Sequence, residues 1–319
     1  MIYDVRHLTT VHYAGLVRLA RFNVRLKPAP WPGQTLLDYN LSVAPPPASV
    51  QDEAGPFIVN RSRLTIRDPI SELSVESRFR VEVTPTPAPD PEAGPAIEQV
   101  RERALTRKDL SASGPATYLY ASPIATASSE IAGWATPFFT PGRSVVAMGC
   151  ALMKALHGEF RYDGNATKID TPPLEAFRHR RGVCQDFAHI MIIAARAHGI
   201  PAAYVSGYLR TLPPPGQEKL MGADATHAWV NLWCGDEHGW IGFDPTNNLI
   251  AGTDHIFTAM GRDYSDVAPL DGVFHGGAGQ EMEVSVDVIP VDEETPNERA
   301  GMDGQRLPEP VRGNARSGR

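Results

Sequence analysis

Apolar and polar positions alternate with a period of two along most of residues 1 to 83. Tyr3 to His12, Leu19 to Leu26, Leu37 to Val43, Leu64 to Ile66 and Leu73 to Val83 each carry the alternation, with Pro and Gly clusters between them. That period points successive side chains to opposite faces of a strand. Several short strands at this spacing predict a β-sandwich.

The pattern breaks at Thr84-Pro-Thr-Pro-Ala-Pro-Asp-Pro-Glu-Ala-Gly-Pro, whose five prolines fit neither a helix nor a central strand. An extended linker is expected here, giving a β-rich domain over 1–90 and a second domain over 91–293. Residues 96 to 104 and 115 to 121 read as short helical or irregular connectors. From Ser144 the period becomes helical, with Val145, Met148, Leu152 and Leu156 three or four apart. A short helix follows Thr171-Pro-Pro, with Thr171 as its cap and proline in its first turn. A third helix spans Cys184 to His198, stopped by Gly199 and Pro201. Three strands then come at Ala203 to Leu209, His227 to Cys234 and Trp240 to Asp244, and an alternating segment runs from Met282 to Ile289. The polar end, 294–319, reads as a disordered tail. Strands followed by mixed helices and strands make the chain α+β.

The net charge of -7 and a pI near 5.8 offer no positive field for nucleic acid or an anionic membrane. The arginines are scattered, and the Arg178 to Arg181 cluster reads as a solvated surface. No basic-then-apolar leader opens the chain and no stretch reaches the ~20 apolar residues of a membrane span, so the cytoplasm is the expected location. Three cysteines, Cys150, Cys184 and Cys234, form no CxxC pair and no cysteine-histidine cluster at zinc spacing. No metal and no cofactor is expected, and each thiol is either core filler or chemistry.

Cys184 is set apart by its place. It opens a helix after Gly182, where backbone N–H groups without helical partners favour a thiolate and can hold a developing oxyanion. A thiol nucleophile needs a base, and His227, Trp229, Asn231 and Trp233 share one face of their strand. If Gly235 and Asp236 form a two-residue loop, His227 lies directly opposite Asp244, with Cβ atoms about 4.5–5.5 Å apart. A carboxylate at that range can hold one imidazole tautomer. Tyr162 and Gln185 are candidates for a further oxyanion donor. Asp186 and His189 read as helix-start charge and packing partner, Trp229 and Trp233 as core, and Cys150 and Cys234 as inert. Asp263, Tyr264 and Asp266 lack the spacing of a calcium loop.

Gly182-Val-Cys-Gln-Asp-Phe-Ala-His, Ile200-Pro-Ala-Ala-Tyr-Val-Ser-Gly-Tyr, His227-Ala-Trp-Val and Phe243-Asp-Pro-Thr-Asn resemble the core motifs of the bacterial transglutaminase-like superfamily. Gly261-Arg-Asp-Tyr-Ser-Asp-Val-Ala-Pro-Leu-Asp-Gly-Val-Phe is similar to the segment that follows the aspartate in bacterial members, and the first 80 or so residues, with His7-Thr-Thr-Val-His-Tyr, resemble their β-rich N-terminal region. Asp52-Glu-Ala-Gly-Pro-Phe departs from that pattern in one loop. The resemblance implies a papain-like core in which Cys184, His227 and Asp244 form a triad and pass an acyl group through a thioester to water or an amine. A cysteine peptidase acting on a protein or peptide substrate is the expectation. Transglutamination, acetyl transfer of the arylamine N-acetyltransferase kind, and an inactive binding scaffold are the alternatives.

Overall fold

The computed structural model describes residues 1–87, 89–92, 94–211, 222, 224–276 and 279–291. The chain opens with one long strand, β1 (Ile2–Val24), in which Tyr3, Val5, His7, Thr9, Val11 and Tyr13 are buried and their neighbours are not. β2 (Gln34–Ala44), β3 (Ser49–Ala54), β4 (Asn60–Ile66) and β5 (Ile70–Val83) follow. The first half of β1 pairs with β5, which carries β2 on its far side, and the second half pairs with β4, which carries β3. Between His12 and Val17 the register shifts and β1 changes neighbours. A strand bends at such an irregularity, and here Val11 and Tyr13 before it gather with Phe22, Val24, Leu64, Ile66, Leu73 and Val75 in one apolar cluster. The layered packing predicted from the alternation is thus reached by a single curled antiparallel sheet.

Helices and short strands come next: α1 (Ile97–Thr106), α2 (Ser129–Ala135), α3 (Val145–Glu159), β6 (Arg161–Tyr162), α4 (Pro173–His179), β7 (Arg181–Gly182) and α5 (Cys184–Ala197). Of the two predicted connectors, one is α1 and the other a 3₁₀ turn at Pro115–Tyr118. Thr171 does not cap α4. Pro172 holds that position, and the Thr171 hydroxyl instead accepts from Lys168 N at 2.8 Å, closing the preceding turn.

β8 (Ala202–Leu209), β9 (Thr226–Trp233), β10 (Trp240–Asp244), β11 (Leu249–Ile250) and β12 (His255–Gly261) form a five-stranded antiparallel sheet in the order β11-β10-β9-β8-β12. α5 lies on one face, where Phe187, Ile190, Met191 and Ala194 pack with Ala228, Val230, Leu232 and Phe243. The other face gathers Ala203, Val205, Trp229, Phe257 and Met260 against Ala29 and Tyr118. After the short α6 (Tyr264–Val267) come β13 (Leu270–Gly276) and β14 (Gln280–Val291). Both pair with β1, β14 along its first half and β13 along its second. Residues 270–291, expected in the second domain, form their strand hydrogen bonds in the first sheet, because β1 still has an unpaired edge when the chain returns. Residues 294–319, read as a disordered tail, lie outside the described residues. Among the described residues no helix is long and apolar enough to cross a membrane.

The two sheets are joined closely. Tyr3, Val5, Phe79, Val81, Val286 and Val288 bury Tyr208 and Ile256 of the second sheet. Side chains of this size contribute about 1.5–3 kcal/mol each on burial. His7 sits in this seam between the Tyr208 hydroxyl and Thr9 Oγ1, each at 3.0 Å, and burial pushes its pKa down to about 4. The outer edge of β12, otherwise open to further pairing, is covered. Ala29 N donates to Thr258 O (2.8 Å), Met260 N donates to Ile58 O (2.9 Å), and the Gln34 amide both donates to and accepts from the Phe257 backbone at 2.8 Å.

Candidate active site

α4 ends at Arg180 in the left-handed conformation, and the chain then runs extended through β7 to Val183 before α5 begins at Cys184. Asp186 folds back over this entry. Its Oδ2 accepts from Val183 N (2.8 Å) and Thr167 Oγ1 (2.6 Å), and it is buried, which raises its pKa. A Cβ at Gly182 would lie 2.5 Å from that oxygen, so glycine is what lets the carboxylate approach. The role read for Asp186 as a helix-start residue holds. Within the helix entry the first N–H groups to find acceptors are those of Asp186 and Phe187, both on Val183 O, so the N–H groups of Cys184 and Gln185 precede the first helical bond.

β6 pairs in parallel with β7, setting Tyr162 against Gly182. The Tyr162 side chain is 56% exposed and its hydroxyl has no hydrogen-bond partner among the described residues. Its pKa is raised, first by partial burial and then by the charge of Cys184, which places hydroxyl and thiol within electrostatic reach. Gln185 differs. Its amide donates to Ile169 O at 3.1 Å and is occupied in holding the preceding loop.

His227, near the start of β9, directs Nε2 at Asp244 Oδ2, 2.7 Å away. Burial alone would lower its pKa, but the hydrogen bond to Asp244 and the influence of the nearby Cys184 thiol push it up to about 10. With Nε2 taken by the carboxylate, Nδ1 is the nitrogen left for the thiol. The structure therefore pairs His227 with Asp244 and sets Cys184 near His227.

It does so in a different register from the one read in the sequence. Cys234 N bonds to Gly239 O and Gly239 N to Gly235 O, so the loop is wider than Gly235-Asp236. Trp240 pairs with Trp233 and Phe243 with Val230, and continuing that register sets Asp244 against Trp229 rather than His227. The slip is an even one, so both side chains keep the same face, and the imidazole reaches the carboxylate along the diagonal.

Asp244 is wholly buried and has five donors. Oδ2 receives His227 Nε2, His255 Nε2 (3.1 Å) and Asn247 Nδ2 (2.8 Å), while Oδ1 receives the backbone N–H groups of Thr246 (3.0 Å) and Asn247 (3.1 Å). Burial opposes its charge, yet the bonds from His227, His255 and Asn247 outweigh it and hold the carboxyl well below the usual range. Two of these partners were not anticipated. Asn247 was within reach of the sequence, since Asp244-Pro-Thr-Asn is a turn in which an Asp side chain bonds to backbone just ahead. His255 comes from β12, on the opposite edge of the sheet, and no spacing signals it.

His227, Asp244 and His255 also form a set whose ligand atoms lie within 4.8 Å of one another. The donor chemistry does not suit a metal. Gly252 N–H donates to His255 Nδ1 (3.3 Å), so Nδ1 carries the lone pair and Nε2 the proton. A ligating Nε2 needs the reverse.

The remaining residues weighed in the sequence are structural. His189 stacks on Tyr204 (centroids 4.9 Å apart), accepts from Tyr264 N (3.2 Å), and burial lowers its pKa to about 4. Asp263 is fully buried and accepts from Ile124 N and Ser265 N. Burial raises the pKa of both Cys150 and Cys234. Trp229 belongs to the core on the His227 face, whereas Trp233 packs with the cluster on the helix side.

A papain-like α+β fold, with a thiol at a helix start and an imidazole and carboxylate on the adjoining sheet, is the class these features define. Residues 134–245 match the Transglutaminase-like superfamily, and residues 3–82 match the Bacterial transglutaminase-like N-terminal region. An uncharacterised protein of Mycobacterium tuberculosis is 33% identical over 292 residues, covering 90% of this chain and 92% of its own length. A protein-glutamine gamma-glutamyltransferase of Pseudomonas aeruginosa is 36% identical over 112 residues, 33% of this chain and 17% of that protein. Among solved structures, a "Putative Cysteine Protease" from Cytophaga hutchinsonii shares the fold, with a TM-score of 0.70, 22% identity and 92% of each chain covered. The chain belongs to the transglutaminase-like superfamily and carries the bacterial N-terminal region of that family.

Proposed function

We propose that the protein is a cysteine-dependent acyl-transfer enzyme that cleaves amide bonds in a protein or peptide substrate through a thioester. The observation that carries this reading is the position of His227, bonded to Asp244 through one nitrogen and next to Cys184 with the other. His227, whose raised pKa keeps the imidazole protonated at neutral pH, holds the proton taken from Cys184, and Sγ attacks the carbonyl carbon as the anion. The oxyanion lies at the N–H groups of Cys184 and Gln185, with the Tyr162 hydroxyl as the side-chain donor. Collapse breaks the C–N bond and the amine leaves with the proton from His227. Water then attacks the thioester, giving a proton to His227, and the acid departs as the C–S bond breaks, which leaves the proton on His227 and restores the starting pair. Asp244 stays ionised throughout and fixes the tautomer.

Hydrolysis is favoured over amine transfer because Tyr162, beside the thiol, is open to solvent. Two experiments test the reading. With iodoacetamide at neutral pH, alkylation is expected at Cys184, since burial suppresses Cys150 and Cys234. Equal, slow labelling of all three would end the catalytic interpretation. Incubation with a glutamine-containing protein and a fluorescent amine should release new termini, abolished in Cys184→Ala. Amine incorporation in place of cleavage would make the enzyme a transglutaminase.

A further inference from the structure

Over the sheet face that carries His227, a cavity of about 900 Å³ opens between the two sheets. Trp31, Trp229, Trp240 and Phe257 line it, with Trp31 stacked on Phe257 at 4.4 Å between centroids. Prolines of the linker and of the segment before β2 close one side. Glu237 at the lining pairs with Arg103 at 3.3 Å, so its charge is answered before a ligand arrives.

Two polar groups inside this cavity are unanswered. Trp229 is 3% exposed and Asn231 2%, and both line it. The Trp229 Nε1–H has no acceptor among the described residues, and the Asn231 amide donates to Met260 Sδ (3.4 Å) while its Oδ1 receives nothing. Both atoms converge beside Gly242, within 3.2 Å and 3.1 Å of where a Cβ there would lie. Both atoms open onto the cavity, so they are free to bond to whatever fills it, and here a donor and an acceptor stand side by side in a roomy, aromatic-walled space.

We propose that this cavity binds an uncharged peptide segment. One peptide carbonyl accepts from Trp229 Nε1 and one peptide N–H donates to Asn231 Oδ1, while proline or aromatic side chains stack on Trp31 and Trp240. A peptide amide supplies both complements in one rigid group, and the volume is that of a small-ligand pocket. The site is separate from Cys184 and needs no catalytic activity. Its occupant touches His255 and Trp229, so it adjoins the groups that hold Asp244 and His227.

The test is calorimetric titration of the full chain with N-acetyl-prolyl-phenylalaninamide. Saturable binding is expected, and it should survive alkylation of Cys184 with N-ethylmaleimide. W229F keeps an aromatic side chain and removes the N–H, and N231L removes the acceptor. Each should weaken binding about tenfold, the loss of one hydrogen bond. T86W provides a variant that removes no buried contact, since Thr86 is exposed on the linker at the cavity lining, and it should block binding. Absence of binding, binding untouched by T86W and W229F, binding lost on alkylation of Cys184, or preference for maltotriose over the peptide would each overturn the proposal.

Discussion

His255 Nε2 donates to Asp244 Oδ2 at 3.1 Å, on the same oxygen that holds His227, and Gly252 N–H fixes which nitrogen of His255 carries the proton. Asp244 is thus aimed at His227 by a second histidine that reaches it from the far edge of the sheet. If His255 is a positioning residue, His255→Leu should lower kcat about 10- to 100-fold with KM little changed, the usual scale for groups that orient a catalytic side chain. His255→Gln, which can still donate, should recover part of the loss. A rise in KM alone in His255→Leu would contradict this role.

The raised pKa of His227 has a consequence for stability. A group whose native pKa lies above its unfolded value of 6.5 stabilises the fold fully below 6.5 and loses that contribution as the pH climbs toward about 10. Urea unfolding between pH 6.5 and 10 should show stability falling by up to about 1.4 kcal/mol per pH unit from this residue. His227→Gln should flatten that slope. The same slope in both proteins would refute the assignment of the proton to His227.

Gly207 should tolerate no side chain. Its Cβ would stand 2.2 Å from Ile256 O and 2.6 Å from the Trp229 ring, so Gly207→Ala must displace β12 or the indole beside His227. Overpacking of this kind costs about 1–3 kcal/mol. A lowered Tm with slower alkylation of Cys184 is expected in a thermal melt and an iodoacetamide time course, and an unchanged Tm would count against the packing described.

Gln34 ties the N-terminal region to β12 through both atoms of its amide. Gln34→Leu leaves the Phe257 N–H and C=O without that partner, which should destabilise by about 1–3 kcal/mol in denaturant unfolding. Tyr3 donates to Asp254, next to His255, at 2.9 Å, so the first sheet grips the His255 segment from two sides. Loosening it should therefore also slow Cys184 alkylation, and full retention of that rate would show that the two sheets act independently.

The sequence by itself determined the local chemistry: Cys184 at a helix start after a glycine, and His227 and Asp244 on the same face of adjoining strands. These follow from periods of 3.6 and 2, which depend on near neighbours alone. Parity also explains why the His227–Asp244 contact survived a mistaken loop length, since a slip of two residues returns each side chain to its own face. Tertiary structure decided the rest. The pairing of β13 and β14 with β1 rests on contacts between opposite ends of the chain, to which no local pattern is sensitive. His255 reaches Asp244 only because the chain after β11 returns to the far edge of the sheet, where Gly207 leaves room for the Trp229 ring that packs edge-on against His255. Sequence separation carries no record of such an approach. It is fixed by packing.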